Sequence, residues 1–389
     1  MSQICSGIDA LTGQPVELHF DNQINLAEPI LGPERPARYL APGFIDIQVN
    51  GFAGVDYCSP HAPHEEIARS IRVQFATGVT RLFPTVITGS VDHMAGAIAN
   101  LTKARASLGV EGRAMEGLHI EGPHISPEDG PRGAHPAFAV RPPDTNEFDR
   151  WWDLSEGCIK IVTVSPEWDA TPAYTEHVAR HGVVVSIGHT KATGDQIRDT
   201  VSAGATMSTH LGNGAHAVMA RHPNYIWEQL AEDRLMASFI VDGIHLPQSF
   251  LTVALRAKGL DRSVLITDAV MPAGCKPGRY RLGEVDVDLH EGNRVTLVGQ
   301  EKLAGSALRM DDGINNLMSM AGLTLAQAVT LATRNAARAG RIGTRMKGLE
   351  KGARADIVEF DFDNAARRIS VTRVWVGGEL VVGQASRPA

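Results

Sequence analysis

The sequence predicts an α/β fold in which eight parallel strands and their helices close into a (β/α)8 barrel, with a small β-domain formed by the two chain ends. Three observations support this prediction. Eight short apolar runs occur between residues 44 and 270, and helical patterns separate them. Both chain ends contain short segments with the residue patterns of β-strands. Near-continuous apolar runs are typical of strands buried on both faces of a parallel sheet. Eight strands alternating with helices is the number found in a closed barrel.

The eight predicted strands are spaced so that a helix fits between successive runs. Each run is rich in branched apolar residues and is bounded by polar or glycine-containing segments. The predicted strands are Phe44–Val49, Thr80–Val86, Ala114–Ile120, Ile159–Val164, Val183–Ile187, Ala205–Thr209, Met236–Val241 and Val264–Thr267.

Helical spacing occurs in the segments between these runs. Met94, Ile98 and Leu101 recur at positions i, i+4 and i+7, which places them on one face of a helix. Leu251 and Leu255 form a second pattern of this kind, and Lys258–Gly259 is typical of a helix C-terminus. The segments therefore predict the helices that connect parallel strands.

The two chain ends differ from the middle of the chain. Residues 1–42 contain short strand-like pieces with Pro and Gly, and residues 345–389 alternate and turn like a small antiparallel sheet. We therefore expect both ends to pair into one small β-domain beside a barrel of residues 43–344.

Composition restricts the function classes. The chain has 389 residues, of which 43% are hydrophobic and 21% charged, and a formal net charge of −7. A nucleic-acid or anionic-membrane surface needs a basic footprint, so we expect neither partner. The four cysteines form no CxxC pair, the start of the chain lacks a signal-peptide pattern, and no apolar run approaches the roughly 18 residues that span a bilayer. We expect a cytoplasmic protein.

Four ionisable residues follow four of the predicted strands. Strand three runs into Glu121, strand five into His189, strand six into His210 and strand eight into Asp268. In barrels of this kind the active site lies at the carboxyl ends of the strands, so these side chains should meet at one rim.

Two imidazoles and a carboxylate are the protein ligands of a hydrolytic zinc site that keeps a position open for water or substrate. We therefore expect one tightly bound divalent ion per chain, held by Glu121, His189 and His210. Zn²⁺ is the first expectation, and Fe²⁺ accepts the same ligands. Such an ion activates a water for hydrolysis. Asp268 would then be the general base that takes the water's proton and returns it to the leaving amine.

Each of these residues could also have a purely structural role. A single His at a strand end is often a hydrogen-bonding loop residue, Glu121 could be an ion-pair partner, and Asp268 could shape a turn. The metal-site prediction depends on their occurrence at four strand ends. His119 shares a strand face with Glu121 and is interpreted as a packing or supporting residue. The histidines interpreted as surface residues are His61, His64, His93, His177, His181 and His290.

Several segments, in this order and spread over most of the chain, resemble the N-acetylglucosamine-6-phosphate deacetylases of the amidohydrolase superfamily. The combination HIEGP, GHT, THL and TDA is the most specific part of the resemblance. The segments are PGFIDIQVNGFAGVDY (42–57), GVTRLFPTVIT (78–88), GLHIEGPHISP (117–127), GAHP (133–136), SIGHTKAT (186–193), STHLGNG (208–214), VDGIHLP (241–247), ITDAVMPAG (266–274), LAGSAL (303–308) and KGARADIVEFD (351–361).

The resemblance implies a TIM-like barrel with a small β-sandwich domain formed by both chain termini, and a cytoplasmic homodimer that removes acetate from an amino-sugar phosphate. It also implies roles for individual residues. His135 would steady the substrate carbonyl, and His245 would contact the sugar phosphate. Asn213 and Gly214 lie in the loop whose backbone amides meet the phosphate. Arg221 would reach the phosphate bound in the neighbouring subunit.

This chain also differs from the family pattern at several positions. Many amidohydrolases carry His-x-His on strand one and bind a second metal, whereas this chain has Gln48 and Asn50, whose neutral amides are poor ligands. This supports one ion per chain. The family usually reads HLFNAM after the second ligand His, and this chain reads HLGNGAHAVM (210–219), followed by RHPNYIWEQL (221–230). These changes surround the sugar and phosphate region.

Three alternatives to deacetylation of N-acetylglucosamine 6-phosphate remain. The first is the same amide hydrolysis on a related N-acyl amino sugar, either the galactosamine epimer or an unphosphorylated sugar. The second is hydrolysis of a cyclic amide, which usually needs His-x-His and a carboxylated lysine; Lys160 on strand four lacks those histidines. The third is a non-catalytic barrel scaffold, which would have no need of the four strand-end residues.

Overall fold

A computed structural model of the chain describes residues 2–32 and 36–384. Twenty strands occur in the described residues. They are β1 (Gln3–Asp9), β2 (Pro15–Phe20), β3 (Ile24–Pro29), β4 (Tyr39–Pro42), β5 (Phe44–Val49), β6 (Gly51–Phe52), β7 (Val55–Asp56), β8 (Val79–Ile87), β9 (Leu118–Glu121), β10 (Ile159–Val164), β11 (Val184–Ile187), β12 (Ala205–Ser208), β13 (Met236–Ile240), β14 (Ser263–Ile266), β15 (Gly278–Leu282), β16 (Val285–Leu289), β17 (Val295–Leu297), β18 (Ile357–Asp363), β19 (Arg368–Val376) and β20 (Glu379–Val382).

Eleven α-helices lie between these strands in the described part of the chain, with short 3-10 helices at Ala137–Ala139, Leu260–Arg262 and Gly343–Arg345. The α-helices are α1 (His64–Phe75), α2 (Val91–Ser107), α3 (Val110–Ala114), α4 (Thr145–Leu154), α5 (Thr171–Arg180), α6 (Gly194–Ser202), α7 (Tyr225–Ala231), α8 (Gln248–Lys258), α9 (Met310–Met320), α10 (Leu325–Ala332) and α11 (Arg334–Ala339). Among the described helices, none has the length and apolar character needed to cross a membrane.

Eight parallel strands form the predicted barrel, in the order β5, β8, β9, β10, β11, β12, β13 and β14. Seven of them begin and end within one residue of the prediction. The third was predicted too early, because Ala114 ends α3 and β9 begins at Leu118. An apolar run alone does not separate the end of a buried helix from a strand.

The barrel closes between β14 and β5. Val49 and Ala269 form an isolated parallel bridge, and the Asp268 N–H donates to the carbonyl of Gln48 at 2.9 Å. The buried Asp46 carboxylate accepts hydrogen bonds from the Thr267 N–H and hydroxyl. This seam joins the first and last strands of the barrel next to Asp268.

The barrel strands bury side chains on both sides. Along β10, Ile161 belongs to one core cluster, whereas Val162 and Val164 belong to another. The first cluster joins inward residues of several strands to α11 and Ile342, and the second joins the strands to the surrounding helices. Burial on both faces explains why the strand sequences are continuous apolar runs.

Two of the connecting helices confirm the predicted patterns. Met94, Ile98 and Leu101 are fully buried on α2, and Leu251 and Leu255 are buried on α8. Helix α8 ends at Lys258 because Gly259 adopts a left-handed conformation with φ of 74°.

The two chain ends form one seven-stranded sheet in the order β20, β19, β18, β4, β1, β2 and β3. The predicted β-domain from both termini is therefore confirmed, while its exact limits at residues 42 and 345 stay a prediction. The sequence analysis did not predict the three-stranded sheet of β15, β16 and β17, which is inserted between the last barrel strand and α9. Leu282 of this sheet lines the large cavity at the barrel rim.

Candidate metal centre and active site

The four strand-end residues predicted to carry the chemistry meet in one place. Glu121 is the last residue of β9, and His189, His210 and Asp268 lie two residues beyond β11, β12 and β14. All four are buried and line a cavity of about 460 Å³ at the carboxyl ends of the strands. A cavity of this size is within the range that encloses small-molecule ligands.

Three of these residues have a left-handed backbone, which is uncommon outside glycine. The φ angles are 50° at His189, 29° at His210 and 49° at Asp268. Such conformations cost on the order of 1–3 kcal/mol and concentrate at functional sites. Hydrogen bonds hold two of these turns, because the His210 N–H donates to the Ser238 hydroxyl at 2.8 Å and the Asp268 N–H donates across the barrel seam.

Glu121, His189 and His210 each direct one ligand atom to a common point. Glu121 Oε1 lies 3.1 Å from His189 Nε2 and 2.8 Å from His210 Nε2, and the two Nε2 atoms are 3.1 Å apart. Ligands about 2.0 Å from a tetrahedral Zn²⁺ are roughly 3.3 Å from one another, so the three atoms need little movement to share an ion. The donor set and its spacing fit a divalent transition metal.

The protonation of His189 also fits a ligand. Its Nδ1 lies 2.9 Å from the carbonyl oxygen of Pro131, which only accepts, so Nδ1 carries the proton and Nε2 keeps its lone pair. His210 Nδ1 is buried and has no hydrogen-bond partner among the described residues. The backbone of the loop before residue 133 therefore fixes one of the two ligand rings.

Two buried carboxyl groups in the cavity have opposite pKa shifts. Burial alone would raise the pKa of Glu121, but its contacts with His189 and His210 hold that pKa well below the usual value. Burial, and then the negative charge of Glu121, raise the pKa of Asp268 to about 7. Glu121 is therefore suited to ligation as an anion, and Asp268 to exchanging a proton near neutral pH.

Gln48 and Asn50 hold the Asp268 carboxylate, a role that the sequence analysis did not assign. Asn50 Nδ2 donates to Asp268 Oδ1 at 2.7 Å, and Gln48 Nε2 donates to the same oxygen at 3.2 Å. Gln48 is the penultimate residue of β5 and Asn50 follows that strand directly, so both lie at the carboxyl end of a predicted barrel strand. That position is the sequence signal that could have indicated their role. Ser306, in the LAGSAL segment, adds a backbone hydrogen bond to the Asp268 carbonyl at 3.0 Å.

His135 lies beside the candidate metal ligands. Its ring packs edge-on against that of His189, with 4.3 Å between centroids, and its Nδ1 is 2.8 Å from the hydroxyl of Thr88. Burial, followed by repulsion from His189, lowers the pKa of His135 to about 3. His135 is therefore neutral at physiological pH and lines the cavity.

The predicted sugar and phosphate residues are only partly brought together. His245 lines the cavity, with Nδ1 held 2.7 Å from Asp242 Oδ2. Asn213 and Gly214 also line it. The backbone N–H of Asn213 donates to the His210 carbonyl. The backbone N–H of Gly214 has no hydrogen-bond partner among the described residues and is available to a ligand.

Arg221 lies outside this cavity, exposed on the surface of its own chain, and its side chain forms no hydrogen bond or ion pair with any described residue. Lys302 is instead the only Lys or Arg among the described residues that line the cavity, and it pairs with Asp129. The sequence analysis did not select Lys302, although it directly precedes the LAGSAL segment.

Lys160 is not part of the site. It is the second residue of β10, whereas the cavity lies beyond the last residues of the barrel strands, and Lys160 does not line it. A bridging lysine, as in cyclic-amide hydrolases, is therefore not available from this position.

Comparisons with known proteins agree with this geometry. A sequence profile of the amidohydrolase family matches residues 39–381. The N-acetylgalactosamine-6-phosphate deacetylase of Escherichia coli is 30% identical over 370 residues, covering 92% of this chain and 94% of that protein. The N-acetylglucosamine-6-phosphate deacetylase of Bacillus subtilis is 32% identical over 321 residues, covering 82% and 80%.

A solved structure is also similar over nearly the whole chain. It is a variant of N-acetyl-D-glucosamine-6-phosphate deacetylase from Mycobacterium smegmatis in complex with N-acetyl-D-glucosamine-6-phosphate. The sequence identity is 30% and the TM-score 0.87, with 98% of this chain and 99% of that chain covered. The predicted resemblance and the predicted barrel are both confirmed.

Proposed function

The chain belongs to the amidohydrolase family, and we propose that it hydrolyses the acetamide of N-acetylglucosamine 6-phosphate to give glucosamine 6-phosphate and acetate. Membership of the family makes it a hydrolase of C–N amide bonds, and a non-catalytic scaffold would have no need of the four strand-end residues. The observation that carries the proposal is the convergence of Glu121, His189, His210 and Asp268 in one buried cavity.

Glu121, His189 and His210 are proposed to hold one divalent ion, with Zn²⁺ as the first candidate and Fe²⁺ as the second. When bound, the ion supplies Lewis-acid chemistry that polarises the amide carbonyl and lowers the pKa of a water molecule. The low pKa of Glu121 keeps this residue an anion, and the Pro131 carbonyl keeps the His189 lone pair directed at the ion.

Asp268 is proposed as the general base and acid. Its Oδ1 is held by Asn50 and Gln48, whereas its Oδ2 has no hydrogen bond with any described residue and can accept the proton of the attacking water. The carboxylic acid formed then returns that proton to the nitrogen of the leaving amine. A pKa of about 7 makes both transfers possible near neutral pH, and a bound cation would lower it.

His135 is proposed to stabilise the negative charge that develops on the carbonyl oxygen. Its 2.8 Å contact with the Thr88 hydroxyl is shorter than the 3.4 Å contact of that hydroxyl with the Glu121 carbonyl. The proposed role requires the hydroxyl to donate to Nδ1 and not to the carbonyl, so that the imidazole proton resides on Nε2, where it can donate to the substrate. A buried neutral donor held in a fixed orientation is an effective stabiliser of an oxyanion.

The phosphate is proposed to bind to His245, the Gly214 N–H and Arg221 of a second subunit. Arg221 is exposed and outside the cavity of its own chain, which is the arrangement expected if it serves a neighbouring site in a homodimer. The proposed substrate is therefore a small anionic amino sugar, and the proposed location is the cytoplasm.

The galactosamine epimer is the second candidate substrate. A relative named N-acetylgalactosamine-6-phosphate deacetylase is 30% identical and covers 92% of this chain, so sequence similarity alone does not separate the two epimers. The unusual residues 210–219 lie beside the cavity, where they could select between the two sugars.

The test is acetate release by metal-replete protein from four sugars: both 6-phosphates and both unphosphorylated forms. Release that requires the phosphate and favours the glucosamine epimer supports the proposal. Equal rates on phosphorylated and unphosphorylated sugars would exclude a phosphate site. Treatment with a chelator should abolish release, and Zn²⁺ should restore it; activity that survives complete metal removal would contradict the metal centre.

A further inference from the structure

A second group of metal-ligating side chains lies on the outside of the barrel. His177 and His181 are four residues apart at the C-terminal end of α5, which places them on one face of the helix. Asp149 on the adjacent helix α4 approaches the same point, with Oδ1 2.6 Å from His177 Nε2. One ligand atom from each of the three residues lies within 4.8 Å of the other two.

Aromatic packing fixes the two imidazoles of this group. The His181 ring stands edge-on to Trp152 and Phe148, with centroid distances of 4.9 and 5.2 Å, and the His177 ring stands edge-on to Phe148 at 5.8 Å. Rings held in one rotamer lose little conformational freedom when they bind an ion. This packing also gives Trp152 a position beside the group.

The protonation of His181 is that of a metal ligand. Its Nδ1 lies 3.1 Å from the carbonyl oxygen of His177, which only accepts, so the proton is on Nδ1 and Nε2 has a free lone pair. The charges nearby also favour a cation. The C-terminal end of a helix carries partial negative charge, and neighbouring Arg180 is paired with Glu176.

We propose that Asp149, His177 and His181 form a second site, for a divalent transition-metal ion, on the surface of the barrel. Two imidazoles and one carboxylate suit Zn²⁺, Ni²⁺ and Cu²⁺, and they do not suit Mg²⁺ or Ca²⁺, which prefer oxygen ligands. The side chains of Asp149 and His177 are 50% and 31% exposed. The ion therefore binds more weakly than at the barrel centre and is removed by desalting, which leaves one tightly bound ion per chain.

The alternative is that the His177–Asp149 pair and the stacked rings only hold α4 against α5. The two cases are separated by titrating desalted protein, with its barrel centre loaded, with Ni²⁺. Bound Ni²⁺ is measured by equilibrium dialysis, and tryptophan fluorescence is measured in parallel because a paramagnetic ion beside Trp152 quenches its emission. The proposal predicts one additional ion with saturable, partial quenching, and no quenching by Mg²⁺ at the same concentration.

Two variants locate the ion. Asp149→Asn removes a carboxylate that is half-exposed, and His181→Gln removes one imidazole; each should weaken Ni²⁺ binding roughly tenfold or more. His64→Gln is the matched control, since His64 is a half-buried helical histidine that contacts Asn100 and no carboxylate. Acetate release should be unchanged in all three variants, which separates this site from the barrel centre.

Two results would overturn the proposal. One is wild-type protein that binds no additional Ni²⁺ and shows no saturable quenching. The other is additional Ni²⁺ that binds equally well to wild type and to Asp149→Asn, since the ion would then lie elsewhere. Asp149→Asn decides the question even if His181→Gln disturbs the packing against Phe148 and Trp152.

Discussion

Asp268 reaches its position through contacts from the other side of the barrel seam. Gln48 on β5 and Asn50 just beyond it both donate to its Oδ1, and its backbone N–H donates to the Gln48 carbonyl. These contacts fix one carboxylate oxygen and leave the second facing the cavity. The amides of Gln48 and Asn50 therefore orient the residue that is proposed as the general base.

Replacing Asp268 with Asn separates proton transfer from metal binding. We expect Asp268→Asn to keep the bound ion and to lower kcat by on the order of 10²-fold or more, because the amide cannot accept the water's proton. The measurements are metal content and steady-state acetate release. Replacement of His189 or His210 should instead lower metal occupancy. Near-normal turnover by Asp268→Asn would show that another group is the base.

At the scale of elements, the loop after β12 shapes the metal site through a glycine. Gly214 has φ of 56°, and a Cβ at this position would lie 2.6 Å from His189 Nδ1. Gly214→Ala should therefore displace a ligand ring and lower both metal occupancy and kcat. Gly299→Ala is the matched control, because Gly299 has φ of 71° with no atom within 4 Å of the added Cβ. Both variants should lose about 1–2 kcal/mol of stability, and only Gly214→Ala should lose metal. Full occupancy in Gly214→Ala would show that His189 tolerates the clash.

The elements that could be predicted from the sequence are those buried on both sides. The barrel strands are continuous apolar runs because the interior and the surrounding helices both cover them, and the residues that follow each run must lie at the rim. This placed Glu121, His189, His210 and Asp268 together without knowledge of their contacts.

Other features depend on contacts between distant parts of the chain. The hydrogen bonds from Gln48 and Asn50 to Asp268 join residues more than 200 positions apart. The sheet of β15–β17 consists of strands of three to five residues, which lack the continuous apolar runs of the barrel strands. Lys302 follows this sheet in the chain and lines the cavity together with Leu282 of β15. No local pattern in the sequence predicts such contacts.

At the scale of the whole molecule, a buried ionic cluster joins the barrel to the β-domain. Asp356, next to β18, is fully buried and lies 2.8 Å from Nη2 of Arg81 on β8 and 3.5 Å from Nη1 of Arg345. Burial alone would raise the pKa of Asp356, but the charges of Arg345 and Arg81 hold it below its usual value. The cluster is therefore a charged contact between the two parts of the chain.

Asp356→Asn should destabilise the protein by about 3–5 kcal/mol. It removes the carboxylate that pairs with buried Arg345 and leaves buried Arg81 with only Glu116, at 3.5 Å, as an ion-pair partner among the described residues. A carboxyl whose pKa is lowered by folding stabilises the protein above its unfolded pKa, near 3.9, and loses this contribution as pH falls through its folded pKa. The difference between wild type and variant should therefore be full at pH 7 and shrink below about pH 4. Urea unfolding at several pH values measures it. Asp361→Asn, at a side chain 59% exposed, is the control. A difference at pH 7 no larger than that of the control would contradict the prediction.

The exposed position of Arg221 leads to a prediction about the homodimer. If Arg221 serves the neighbouring site, Arg221→Ala should raise KM for the sugar phosphate far more than it changes folding. The decisive protein is a mixed dimer of an Arg221→Ala subunit and an Asp268→Asn subunit, carrying different tags and purified through both.

In that dimer the Arg221→Ala subunit keeps Asp268 and receives an intact Arg221 from its partner. One site of the two is then complete, and the mixed dimer should show about half of the wild-type activity with a normal KM. Both parent homodimers should be far less active at substrate concentrations below KM. If Arg221 instead acts within its own chain, the mixed dimer keeps the raised KM of Arg221→Ala. If the chain is a monomer, no doubly tagged species is recovered. Only the first outcome makes the dimer part of the active site.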